Sequence, residues 1–297
     1  MAVRTPTKNL LGQRAQSGRA ERLRRLRWIV KSPRAVVGLV LLVVLVMLAL
    51  GAEWLAPHDP VKADFRARLV GPSALYPFGT DWIGRCLLSR VLYGLRLTLL
   101  VGVATVALGA GVGVILGLLA GYYGRAFELL IMRSTDLLLA FPYFLLTVVL
   151  VAVLGPNLIN AMVAIAIWTA PQYIRLVRAT VLTLKEREFT LAARGLGRKE
   201  SGILIRHVFP NCLPPIIVQS SIFCAQNMLM AASLSFLGLG AQPPSPELGA
   251  MLGAGRGYLR TAPQVVAVPA TAILLAVLAF NFLGDTLRDA LDPRAGR

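Results

Sequence analysis

Between Lys185 and Asn211 the chain reads KEREFTLAARGLGRKESGILIRHVFPN, a basic, glycine-jointed stretch set between long apolar runs. Its spacing points to docking rather than to bond making. Phe189, Ala192, Ala193 and Leu196 fall at i, i+3, i+4 and i+7 and line one face of a short helix. Arg187, Arg194, Arg198 and Lys199 spread over its other faces. Gly195 and Gly197 interrupt that helix at its end, and Ile203, Leu204, His207 and Val208 begin a second helical pattern that Pro210 stops. Small alanines let a partner surface come close, while the glycine break lets two short helices meet at an angle. A helix resting on lipid headgroups would carry the same pattern, so spacing alone leaves both readings open.

Residues able to do covalent or metal chemistry lack the spacing for it. The sequence contains no G-x-x-x-x-G-K-[ST] phosphate loop, no H-E-x-x-H and no G-x-S-x-G, and its only histidines are His58 and His207. Cys86, Cys212 and Cys224 offer neither a disulfide framework nor zinc spacing. The chain is therefore expected to be no enzyme, with no cofactor and no metal of its own.

The elements that position this stretch are apolar. With 56% apolar and 15% charged residues, the chain is too apolar for an ordinary soluble domain. Crossing roughly 30 Å of hydrocarbon takes about 20 residues of helix. Six windows of that kind occur, at about 36–56, 97–121, 130–154, 157–177, 213–238 and 263–284. The expected fold is all-α, a polytopic membrane protein with a transmembrane helix in each window, since helices satisfy their own backbone in lipid. The domain reading places a basic N-terminus at 1–35, a first span at 36–56 and an outer loop at 57–94. A core of five spans follows at 95–286, with the elbow at 185–211 inside it, then a tail at 287–297.

The net charge of +17 invites a nucleic-acid reading, but its distribution argues against it. With the N-terminus inside, 23 Lys and Arg fall on the cytoplasmic side and 8 on the other, so both termini are expected in the cytoplasm. Leu23, Leu26, Ile29 and Val30 recur at helical spacing among arginines, beside Trp28. They read either as a helix on the inner membrane surface or as a simple cluster of positive charge. Pro57, Pro60, Pro72 and Pro77 make the outer loop irregular, and Asp81 is expected to cap the amphipathic run that enters the second span.

Within the spans, Gly109, Gly113, Gly117 and Gly121 form a strict four-residue ladder, a close-packing face whose partner lies in this chain or in another. Arg133 and Asp136, three apart, are placed to pair on one face. Pro142 and Pro171 are expected to kink the third and fourth spans. Gln219, Ser220, Ser221, Gln226 and Asn227 string uncharged polar groups along the fifth, and Asn281 lies in the sixth.

LAARGLG followed by IRHVFPN resembles the EAA motif of binding-protein-dependent ABC importer permeases. Ala192, Ala193, Gly197, Ile203 and Pro210 match it, while Leu191 stands where the family has Glu and Phe209 replaces the closing Leu. GTDWIGRCLLSRVLYGLR, ASLSFLGLGAQPPSPELGAML and LAFNFLGDTLRDALDPR are similar to the second permease subunit of the dipeptide/oligopeptide/nickel branch, with Cys86 replacing its usual Asp. The resemblance implies a type I ABC importer permease in the bacterial inner membrane. It implies a homologous sister permease, two ABC ATPase subunits that bind ATP and Mg, and an extracytoplasmic substrate-binding protein. Phe189, Ala192, Ala193, Leu196, Gly197, Ile203 and Pro210 would then make the ATPase-coupling elbow. Gln219, Gln226, Asn227 and Asn281 would either line the translocation pathway or join helices to one another. The cargo would be peptides, or nickel chelate, glutathione or another small solute.

Overall fold

A computed structural model describes residues 33–291, whose regular elements are helices, with no strand among them and an irregular stretch over 56–86. The surface helix expected over residues 20–31 and most of the expected tail lie outside the described residues. In chain order, α1 is Pro33–Leu50, α2 Leu87–Tyr123, α3 Arg125–Leu139, α4 Tyr143–Leu154, α5 Leu158–Lys185 and α6 Glu188–Gly195. The chain continues through α7, Glu200–Phe236, α8, Leu248–Gly255, and α9, Gln264–Leu291.

By length and composition α2, α7 and α9 can each cross a membrane. α3 and α4 pass that test only as a pair, bent by 92° at their junction. The kink expected at Pro142 is thus a full break, because Pro142 has no amide donor and heads α4 instead of continuing α3. α5 runs through Pro171 without interruption.

The bundle is organised on α2 and α5, and the glycine ladder explains how. A Cβ on Gly113 would stand 2.5 Å from the Ala170 carbonyl oxygen, and one on Gly117 would stand 2.8 Å from the Val177 Cβ. Gly109 faces Thr169 and Gly121 faces Val181 in the same way. The ladder's partner is therefore α5 of the same chain. Further along α2, Gly102 admits Met228 of α7. One continuous apolar core joins α2, α5, α7 and α9, and α1 lies against α9 and α2.

Two sequence expectations are corrected here. Asp81 does not cap α2, whose first turn follows Cys86. Its carboxylate accepts from the Ile83 and Arg85 amides, each at 3.0 Å, and pairs with the Arg85 side chain at 2.6 Å, all within a buried turn. Asp136 pairs with Arg175 of α5 at 2.7 Å rather than with Arg133. Arg175 stands on the facing helix, and Glu128 likewise binds Arg178 of α5. These two pairs hold α3 alongside α5.

Candidate functional site

The elbow after Lys185 has the short helix and glycine joint that its sequence suggested. Pro210, however, does not stop the second helix, which merges into α7 through a π-helical turn, and the faces of the first are divided differently. α6 is eight residues long, and a helix that short is held by what it packs on rather than by its own hydrogen bonds. Thr190 and Ala193 point inward. The Thr190 hydroxyl donates to the Leu184 carbonyl at 2.8 Å, and Ala193, 6% exposed, joins Ile203, Leu204 and Val208 in the core. Phe189 at 40% and Leu196 at 82% face away from the protein, with Ala192 beside them. Gly197 adopts φ +73°, the left-handed conformation that lets the chain reverse between α6 and α7.

Of the seven elbow residues read from the sequence, Phe189, Ala192, Leu196, Gly197 and Pro210 are thus exposed. Ala193 and Ile203 are buried within the protein. The outward set is a small apolar knob on a firm seat, ringed by Arg187, Arg194, Arg198 and Lys199.

A polar cluster that the sequence reading missed secures the seat. The Tyr122 hydroxyl, at the end of α2, donates to Glu200 Oε2, and the same carboxylate accepts from Arg194 Nε at 2.8 Å and Nη2 at 3.2 Å. That hydrogen bonding to Glu200 holds the Arg194 guanidinium above its ordinary pKa. Beyond Ile203 the helix widens into a π-helical turn at Leu204–Val208 before resuming at Phe209.

The second polar group lies between the spans. Asn227 is 1% exposed and saturated. Its Oδ1 accepts from the Tyr143 hydroxyl at 3.1 Å, and its Nδ2 donates to Thr105 at 3.1 Å and Thr169 at 3.3 Å. α2, α4, α5 and α7 meet at this one amide, and Tyr143 also stacks on Trp168 with ring centroids 3.9 Å apart. Gln226 and Asn281 are exposed and Gln219 is half-buried, and no hydrogen bond among the described residues joins them to Asn227. Thr105, Thr169 and Tyr143 were visible in the sequence only as hydroxyls inside apolar runs.

Apolar spans tied by interhelical hydrogen bonds, with a seated elbow at one end, define an all-helical membrane component. The fold agrees. An inward-facing structure of the MetNI methionine ABC transporter matches with a TM-score of 0.53, covering 68% of this chain and 96% of that one at 20% identity. Residues 113–297 match the family described as binding-protein-dependent transport system inner membrane component, and the chain belongs to that family. Residues 22–72 match the N-terminal TM domain of oligopeptide transport permease C.

Among curated relatives, the dipeptide transport system permease protein DppC of Alkalihalophilus pseudofirmus is 46% identical, over 89% of this chain and 87% of its own length. The probable D,D-dipeptide transport system permease protein DdpC of Escherichia coli K12 is 44% identical, over 92% of each. The glutathione transport system permease protein GsiD of Escherichia coli O6:H1 is 46% identical, over 85% of this chain and 84% of its own.

Proposed function

We propose that this chain is the transmembrane permease subunit of an ATP-driven importer of dipeptides or oligopeptides in the bacterial inner membrane. α1, α2, the α3–α4 pair, α5, α7 and α9 make six crossings, with both termini in the cytoplasm. A homologous sister permease covers part of the exposed apolar face, lipid the rest, and a substrate-binding protein delivers cargo to the outer face. ATP and Mg belong to two separate ATPase subunits, so the chain itself catalyses no reaction.

The observation that carries this reading is the apolar knob of Phe189, Ala192 and Leu196 held on a buried seat. A cleft on an ATPase that receives this knob differently in its open and closed forms drives alternating access, since only differential contact shifts an equilibrium. Gln219, Gln226 and Asn281 remain candidates for the cargo pathway, while Asn227, fully bonded to three neighbouring helices, is a bolt between spans. Leu196→Asp and Ala192→Trp test the reading. Each is expected to strip the ATPases from the purified complex and abolish ATP-dependent dipeptide uptake while leaving the permease folded. Full retention of ATPase and uptake in both variants refutes it.

Glutathione import is the second reading, favoured by a glutathione permease standing as near in identity as a dipeptide permease. Uptake of labelled dipeptide competed by glutathione, with each tested alone as cargo, separates the two.

A further inference from the structure

α2 is gripped at both ends. At the elbow end the buried Tyr122 hydroxyl meets Glu200, which also holds Arg194, so one carboxylate ties together α2, α6 and α7. At the far end the buried Arg90 donates from Nη1 to the Pro60 carbonyl at 2.9 Å and from Nη2 to the Ser245 carbonyl at 3.4 Å. It thereby pins two separate loops to the first turn of α2. Roughly 48 Å of helix separates the two grips at 1.5 Å per residue.

Between them α2 has little freedom to flex. Gly109, Gly113, Gly117 and Gly121 lie against backbone and Cβ atoms of α5, and Gly102 lies against Met228 and the Cys224 carbonyl. The chain just past Glu200 is packed in the core too, but its backbone ladder is weaker. The π-helical turn Leu204–Val208 is followed by Pro210, Pro214 and Pro215, which leave three amide donors out of the helical ladder. A push on the elbow thus has a stiff route through α2 and a compliant one through the start of α7. The contact that selects between them is the Tyr122–Glu200–Arg194 cluster.

Resting on the docking reading above, we propose that Tyr122, Glu200 and Arg194 are positioning residues that lock the elbow to α2. A displacement received at Leu196 is then carried along α2 to the Pro60 and Ser245 loops. Without the lock it is absorbed at the Gly197 joint and in the proline-interrupted start of α7.

The test is the amount of dipeptide taken up per ATP hydrolysed by the full complex in proteoliposomes. Tyr122→Phe removes one hydroxyl, and Glu200→Gln removes the charge shared by both partners at a half-exposed side chain outside the knob and its ring, where folding is not at stake. Both are expected to keep the ATPases bound and hydrolysing while uptake per ATP falls by about tenfold. That is the order by which losing a hydrogen bond to an ionised partner shifts a two-state equilibrium. Unchanged uptake per ATP in both variants overturns the proposal. A parallel loss of hydrolysis and uptake, with ATPases released, overturns it too, because the cluster then serves docking alone. Leu196→Asp in the same assay separates the two claims. ATPases and uptake fully retained by that variant and by Ala192→Trp defeat the docking reading itself, and the relay with it.

Discussion

The α2–α5 seam permits a matched comparison within one helix. Gly111 and Gly113 are two residues apart on α2, but a Cβ on Gly111 meets nothing within 4 Å, whereas one on Gly113 lies 2.5 Å from the Ala170 oxygen and 2.6 Å from the Tyr173 Cβ. Ordinary contact begins at 3.4 Å, so α5 must retreat by roughly 1 Å. Because Gly109, Gly117 and Gly121 touch the same helix, that retreat loosens the whole seam.

Gly111→Ala and Gly113→Ala change backbone propensity alike, so their difference isolates packing. Overfilling a close-packed site costs about 1–3 kcal/mol, and the midpoint corresponds to roughly 4–8 °C of melting temperature. The three cysteines are all buried, so a thiol-reactive dye read from this chain's own gel band reports its unfolding in detergent. Gly113→Ala is expected to melt lower than Gly111→Ala by that interval. Coincident melting curves, or a more stable Gly113→Ala, would show that the two helices do not meet at the ladder.

Two further outcomes follow from buried polar groups. Asn227→Ala leaves the Tyr143, Thr105 and Thr169 hydroxyls without their shared partner, at a cost of about 1–3 kcal/mol. The melting temperature should fall with ATPase binding intact, and an unaltered melt would mean the junction is not a tie. Burial pushes the Glu247 carboxyl up from its ordinary range, against the lowering pull of the Ala250 and Gly249 amides. The stability due to its neutral form is whole below the unfolded value of about 4.3 and is lost as pH rises through the folded one. Glu247→Gln keeps an oxygen for the Ala250 amide and removes the titration. Wild type should therefore lose ground to Glu247→Gln as pH is raised from 5 to 8, and parallel melting profiles would contradict this.

How legible each feature was depended on how far apart its partners lie in the chain. The elbow could be read because its signals are local, two glycines and a four-residue apolar stripe, but Pro210, expected to stop the second helix, lies inside α7. Even there, Ala193 was assigned to the outward face with Ala192, since helical spacing defines a stripe without saying which edge the body covers. Leu191 stands exposed where the family has Glu, and the carboxylate that secures the elbow is Glu200, which pairs with Tyr122 from 78 positions away. Arg133 was the natural mate for Asp136 by sequence distance, yet Arg175 reaches it across the helix interface.

By itself the sequence determined an apolar helical chain, a basic elbow, a glycine-faced second span and membership of a permease family. The first three are properties of composition or short-range periodicity, which survive without any knowledge of neighbours, and the last rests on the resemblance of local motifs. Tertiary structure alone decided that the glycine face closes on α5, that Pro142 breaks its span through 92°, and that Asn227 is spent on joining helices. Those outcomes depend on which segments approach within hydrogen-bonding or van der Waals distance, and a linear pattern does not encode that distance.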